Sequence, residues 1–346
     1  MFLENHVCIH TTGEYRLCCI SKEPSKNNNI TNMSPREWLD SDYVRNVKSQ
    51  LSNGWPSSCI VCQQKEEQGL SSKRSLQPLH SDTEIHYIDL RLGNTCNLRC
   101  QMCWPVSSSK ILADAIGIEK TSRSPWHEIL SNLSTTNWSD RLELLDDIVK
   151  YPLTEIYFTG GEPMLVKGIH LFLEKLQKVN PNCKLRFNSN GTIINDALNQ
   201  QLKKFNDVKI SLSIDAIEGR LEYIRYGTKW NTIQENLKIF RDIADVDITP
   251  TISVYNVLYI NELYDWIKLH NLDVIPNILT GPNYLAVNNF PNKELINFQP
   301  AKWLLDKPYD QNATDKFRSY VVQLDTYRKI NINDHLPELA KIYGLN

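Results

Sequence analysis

The chain has 346 residues, enough for one full-sized core or a large domain with a smaller one. It is 41% hydrophobic and 23% charged, ordinary for a globular protein, and Lys+Arg 38 against Asp+Glu 40 leaves a formal charge of −2. There is no basic excess of the kind nucleic acid requires, no membrane-binding polybasic segment, no apolar run of bilayer length and no secretory signal over residues 1–10, so a cytoplasmic protein is expected.

Residues 1–83 are polar and rich in turn formers, with one short helix expected near 35–51. So little apolar periodicity builds no core of its own, and the segment needs a metal staple or docking onto the rest. From about residue 84 strands alternate with helices. Strands are predicted at 85–92, 154–158, 184–187, 208–214, 246–255 and 274–279. Helical patterns fall at 142–149, at Ile169, Phe172, Leu173 and Leu176, at Leu198, Leu202 and Phe205, and at 261–270. Another helix, marked by Ile233, Leu237 and Phe240, is opened by a Thr232…Glu235 capping box. Six β/α units in order demand a parallel sheet with right-handed crossovers, and six are too few for the closed eight-fold barrel. The expected fold is therefore α/β, a partial (β/α)6 barrel spanning 84–282 behind a small cysteine-rich domain of 1–83. Residues 104–140 read as a long connection over the barrel top, a lid. The remainder, 283–346, reads as a C-terminal extension whose helix buries Phe317, Tyr320, Val321, Leu324 and Tyr327 on one face.

Nine cysteines bunch as Cys8, Cys18 and Cys19, then Cys59 and Cys62, then Cys96, Cys100 and Cys103, with Cys183 alone. In a reducing compartment such bunching points to metal binding or catalysis, and the solitary Cys183 to packing. The spacing Cys96-x3-Cys100-x2-Cys103 follows the first barrel strand, where parallel β/α folds collect reacting groups. Three thiolates on a cubane [4Fe–4S] cluster leave one iron open to a chelating small molecule. A structural zinc with a distant fourth ligand is the less favoured alternative.

A CxxxCxxC loop after the first strand of a partial β/α barrel resembles the radical S-adenosylmethionine superfamily. The resemblance implies a [4Fe–4S] cluster on Cys96, Cys100 and Cys103 and S-adenosylmethionine chelated at its open iron. It further implies reductive cleavage to methionine and a 5′-deoxyadenosyl radical that abstracts hydrogen from substrate. The residue before the third cysteine, often aromatic in that family and near the adenine, is here Met102, a departure from the pattern. Thr159-Gly160-Gly161-Glu162-Pro163 resembles the family's GGE motif, with glycines allowing close approach to a ligand and Glu162 accepting from the cofactor's amino group. Its structural alternative is a plain turn before a helix. Asn190, Ser213 and Asp215 end strands three and four and by resemblance face the ribose, carboxylate or substrate. Arg225 is the candidate bidentate partner of the cofactor carboxylate. Each of these is otherwise a helix cap or a surface ion pair. Thr280-Gly281-Pro282 borders the adenine or is a turn.

Cys8, Cys18, Cys59 and Cys62 make a complete set for zinc or a fully ligated [4Fe–4S] cluster, and spacing leaves both open. Gly13-x4-Cys18-Cys19 and the Cys59-x2-Cys62 pair, leading through Glu66 and Gly69 to Ser72-Lys73-Arg74, resemble the twitch form of the SPASM auxiliary-cluster domain, placed before the barrel. That resemblance implies a second [4Fe–4S] cluster, with Cys19 as the alternative to Cys18. It also implies a peptide or small-molecule substrate and a reductant such as flavodoxin or ferredoxin. The rival readings are a non-catalytic metal-stapled binding module and an activase for a glycyl-radical enzyme.

Overall fold

The structure is a computed structural model that describes residues 2–21, 27–67, 69, 71–76, 78, 80–131, 138 and 141–346. Parts of the 1–83 segment and of the 104–140 connection, namely 1, 22–26, 68, 70, 77, 79, 132–137 and 139–140, lie outside the described residues. The chain forms two compact units. One comprises Met1–Thr95, Ser134–Asn188 and Asn195–Val208, the other Cys96–Leu133, Ser189–Ile194 and Lys209–Asn346.

In the first unit β1 (His6–Ile9), β2 (Tyr15–Arg16), β3 (Tyr87–Arg91), β4 (Glu155–Thr159) and β5 (Lys184–Ser189) run side by side in the order β2-β1-β3-β4-β5. β3, β4 and β5 are parallel, as six β/α units require. Ile88, Leu90, Ile156, Phe158, Leu185 and Phe187 are fully buried on one face. Against that face the helix Ile169–Val179 buries Ile169, Phe172, Leu173 and Leu176. Phe158 stacks on Phe187 at 4.5 Å and meets Phe172 edge-on at 6.2 Å. The alternate positions are polar: Tyr87, Asp89 and Arg91 on β3, Tyr157 on β4, Arg186 on β5. Parallel strands packed in apolar layers on both sides read as continuous hydrophobic runs. Alternation here marks a second face lined by polar groups.

The N-terminal segment docks by strand addition. β1 pairs in parallel with β3, His6 opposite Tyr87 through Ile9 opposite Leu90, and in antiparallel with β2. Four residues are too short a run to announce a parallel strand. The single helix expected near 35–51 is two, Pro35–Leu39 and Asp42–Asn53. They separate because Ser34 and Ser41 each cap a helix, Ser34 in a reciprocal box with Glu37. The helix expected at 142–149 is a pair of 3₁₀ turns, Leu142–Leu145 and Ile148–Lys150.

In the second unit, apart from Val208, β6 (Val208–Leu212), β7 (Asp245–Ile248), β8 (Thr251–Ile252), β9 (Asp273–Val274) and β10 (Asn277–Ile278) form two sets. β6, β7 and β9 are parallel neighbours, and β8 pairs in parallel with β10. Each strand expected at 246–255 and 274–279 is thus split in two, at Pro250 and Pro276, where a ladder donor is missing. The helix Trp230–Arg241 starts before Thr232, with Lys229 at its cap and no side-chain bond there, so Thr232 and Glu235 lie inside it. The helix Gln311–Arg328 buries Phe317, Tyr320, Val321 and Leu324 as expected. Tyr327 does not belong to that face: it is 42% exposed, and Asp325 and Arg328 are buried instead. No described helix is long and apolar enough to cross a membrane.

Candidate active site

Within the second unit the segment 96–103 is a loop with no regular structure, so its shape comes from specific bonds. Ser108 caps the helix Ser109–Glu119 by accepting from Ile111 N, and donates its hydroxyl hydrogen to Leu98 O at 2.9 Å. Ser109 Oγ lies 3.2 Å from both Cys96 N and Cys96 O. On the other flank Arg99 N donates to Tyr226 O at 2.8 Å and Gln101 N to Ile224 O at 2.7 Å. Cys103 N closes the turn on Cys100 O at 3.1 Å. Cys100 and Met102 are buried, and Cys96 and Cys103 are half-buried.

The three thiols are close enough that Cys100 feels both Cys96 and Cys103. Burial raises the Cys100 thiol and pushes Cys103 up to about 12, so without a metal these groups stay protonated. Among the described residues no group of three or more His, Cys, Asp or Glu gathers tightly enough for a single ion. The fit to an iron–sulfur cluster rests on the number and mutual proximity of thiol donors in one loop.

Arg225 stands beside this loop, with Nη1 3.9 Å from Cys100 Sγ. Its fork is turned toward Asp215: Nη2 donates to Oδ1 at 3.2 Å, and Nε lies 2.7 Å from Oδ2 out of line for a hydrogen bond. Asp215 is fully buried and also accepts from Thr251 N at 2.7 Å. The two residues expected to face the cofactor separately are therefore partners of each other. Asn190 donates Nδ2 to Asn97 Oδ1 at 3.0 Å, Asn97 donates to Thr192 Oγ1 at 2.7 Å, and Thr192 returns its amide and hydroxyl to Asn190 Oδ1. This ring ties residues 190–192 to the cysteine loop. Ser213 is buried, its amide donating to Ser189 O at 2.8 Å.

In the first unit the Gly160-Gly161-Glu162 motif follows β4. Close approach is what its glycines permit, and the approaching group is the chain itself. A Cβ on Gly161 would lie 2.2 Å from Thr95 O, and one on Gly160, where φ is +123°, 2.8 Å from Leu92 N. Gly161 N donates to Gly93 O and Glu162 N to Thr95 O. Glu162 is buried, and its Oε1 accepts from Met164 N at 3.1 Å, capping the turn Pro163–Leu165.

The N-terminal cysteines also lie in the first unit. Cys8 is buried on β1 opposite Asp89 and Arg16. Cys18 is electrostatically coupled to both Cys59 and Cys62, whereas Cys19 answers chiefly to Asp89 and Lys73. Cys8 feels Cys18 and Cys19 more weakly than Asp89 and Arg91. Burial raises all of these thiols whose shift is resolved, Cys18 to about 11 and Cys19 to about 12. Arg91 donates to Cys19 O at 2.8 Å. The buried Trp138 Nε1 donates to His10 O at 3.0 Å. Cys183 is buried with its thiol 3.7 Å from Lys184 O, as a packing residue would be. Thr280 and Gly281 are exposed.

Sequence reading passed over Asn97, Gln101, Ser108 and Asp114. Ser108 carried a cap signal before an apolar helix. The others are polar residues whose partners lie far along the chain.

A family profile described as Radical SAM superfamily matches residues 90–268, just over half of the chain. GTP 3',8-cyclase of Thermodesulfovibrio yellowstonii is 31% identical over 138 residues, 39% of this chain and 36% of that protein. Molybdenum cofactor biosynthesis protein 1 of Dictyostelium discoideum is 22% identical over 324 residues, 90% of this chain and 44% of that protein. The chain spans less than half the length of these relatives. Among solved structures, native anSMEcpe with bound AdoMet is similar over 70% of this chain and 61% of that one, at 16% identity and a TM-score of 0.40. Streptococcus suis SuiB covers 81% and 61%, at 16% identity and 0.38.

Proposed function

Because the chain belongs to the radical SAM superfamily, we propose that it reductively cleaves S-adenosylmethionine and abstracts hydrogen from a peptide or small-molecule substrate. The observation that carries this reading is the mutually coupled triplet Cys96, Cys100 and Cys103 inside the matched region. Cys96, Cys100 and Cys103 would hold a [4Fe–4S] cluster, which would supply one-electron reduction of the sulfonium.

The chain's own residues hold and orient. Arg225, neutralised by Asp215, keeps a guanidinium beside Cys100 and so steadies a thiolate there. The Asn190–Asn97–Thr192 ring fixes the loop's first half. Met102, Ser213 and Glu162 are assigned to the cofactor's adenine, its ribose or carboxylate, and its amino group by motif resemblance. Gly160 and Gly161 serve by letting the Glu162 turn seat against residues 92–95.

Cys8, Cys18, Cys59 and Cys62 are assigned to an auxiliary [4Fe–4S] cluster, and the coupling of Cys18 to Cys59 and Cys62 supports Cys18 over Cys19 as the ligand. The twitch-like 1–83, the barrel 84–282 and the extension 283–346 remain the working division. The polar face with Asp89, Arg91 and Tyr157 suits a hydrogen-bonding substrate. A flavodoxin or ferredoxin reductant and a cytoplasmic setting complete the reading.

A second reading, a nucleoside triphosphate substrate, is favoured by the relatives named GTP 3',8-cyclase and by Arg16, Arg91 and Lys73 around Cys8 and Cys19. Anaerobic reconstitution tests both. Two clusters predict about eight irons per chain, and dithionite with S-adenosylmethionine should yield 5′-deoxyadenosine that Cys100→Ala abolishes. Full iron without 5′-deoxyadenosine would instead support the non-catalytic binding module. Consumption of GTP, set against a peptide pool, separates the two substrate readings.

A further inference from the structure

Gln101 lies between Cys100 and Cys103, is fully buried, and every polar group it owns is taken. Its amide N donates to Ile224 O at 2.7 Å and its carbonyl accepts from the Tyr320 hydroxyl at 2.6 Å. Its side-chain Nε2 donates to Tyr223 O at 3.3 Å, and Oε1 accepts from Arg328 Nη1 at 3.0 Å. Arg328, itself buried, donates Nε to Asp114 Oδ2 at 2.8 Å, and Asp114 belongs to the helix Ser109–Glu119 that follows the loop.

Tyr320 and Arg328 sit two turns apart on the buried face of the helix Gln311–Arg328 and reach Gln101 at its main chain and at its side chain. Chelating iron through three cysteines requires no glutamine between them and no arginine 227 residues onward. Arg328 Nη2 has no hydrogen-bond partner, but displacing any of the paired groups around Gln101 leaves a donor or acceptor stranded out of water, which favours one rest position. Consecutive Cα atoms are about 3.8 Å apart, so a shift of Gln101 reaches Cys100 at once, and Cys103 through its bond to Cys100 O.

We infer that Tyr320 and Arg328 are positioning residues: through Gln101, the helix Gln311–Arg328 sets where the cysteine loop presents its thiols. This inference rests on the reading that the loop carries the primary cluster.

The test uses the full chain, reconstituted anaerobically, with Tyr320→Phe, Arg328→Lys and Arg328→Met. Tyr320→Phe removes one hydroxyl and keeps the ring, so fold and iron content should match the wild type. The electron paramagnetic resonance signal of the reduced primary cluster and its midpoint potential should both shift, and 5′-deoxyadenosine formation should fall roughly 10- to 100-fold. Arg328→Lys should recover part of what Arg328→Met loses. Should all three variants keep the wild-type resonance, potential and rate, the positioning role is overturned. A different result, Cys100→Ala retaining the wild-type iron load, would sink the reading of the loop as the cluster site.

Discussion

The carbonyl oxygen of Thr95 occupies the space into which a side chain on Gly161 would grow, 2.2 Å from an added Cβ. Backbone on both sides leaves neither group free to yield. Gly161→Ala should therefore force the two segments apart and cost about 1–3 kcal/mol, read by urea denaturation. Gly281→Ala, whose added methyl meets nothing within 4 Å, should change stability by under about 0.5 kcal/mol. Equal effects at the two sites would refute the steric account.

Asp215 and Arg225 form a buried ion pair in which each is the other's charge partner. Removing one leaves an uncompensated charge, so Asp215→Ala should destabilise by about 3–5 kcal/mol. The double change Asp215→Ala with Arg225→Met should cost less than the sum of the single changes. Additive losses in a double-mutant cycle would show that the two do not act as a pair.

Cys18 is coupled to Cys59 and Cys62, while Cys19 faces Asp89. After anaerobic reconstitution, Cys18→Ser should lose about half of the iron and Cys19→Ser almost none, given two four-iron clusters. The opposite ranking by iron assay would make Cys19 the ligand.

Burial raises the Asp325 carboxyl to about 6, against hydrogen bonds from Tyr223 and Ile332 that favour its charged form. A folded-state value above the unfolded one means the native chain holds this proton more tightly. The resulting stabilisation is complete below about pH 4 and is lost as pH rises through about 6. The stability gap between wild type and Asp325→Asn should therefore shift against the wild type from pH 4.5 to pH 7, measured by denaturation at several pH values. A gap independent of pH would remove Asp325 as the cause.

Much of the site was legible in the chain because its signals are local. Cys96-x3-Cys100-x2-Cys103 and Gly160-Gly161-Glu162 each span a few residues after a predicted strand, and the strands follow from buried alternation such as Ile156 and Phe158. Cys59 and Cys62 were equally plain. What escaped depends on distance. The parallel addition of β1 to β3 joins residues about 80 apart, and a four-residue run carries no period by which to foresee it. Arg225 and Asp215 each looked like a ligand-facing group because nothing in their spacing says that they meet.

Residue order by itself determined the α/β succession, the three-thiol loop and its place after the first barrel strand, since periodicity and metal-ligand spacing act over a turn or a strand. Only tertiary structure decided that Asp215 answers Arg225, that Thr95 closes on Gly161, and that Tyr320 and Arg328 clamp Gln101. Those pairings are chosen by burial: a polar group withdrawn from water takes whichever partner the packed chain brings near, and the identity of that partner is written in three dimensions.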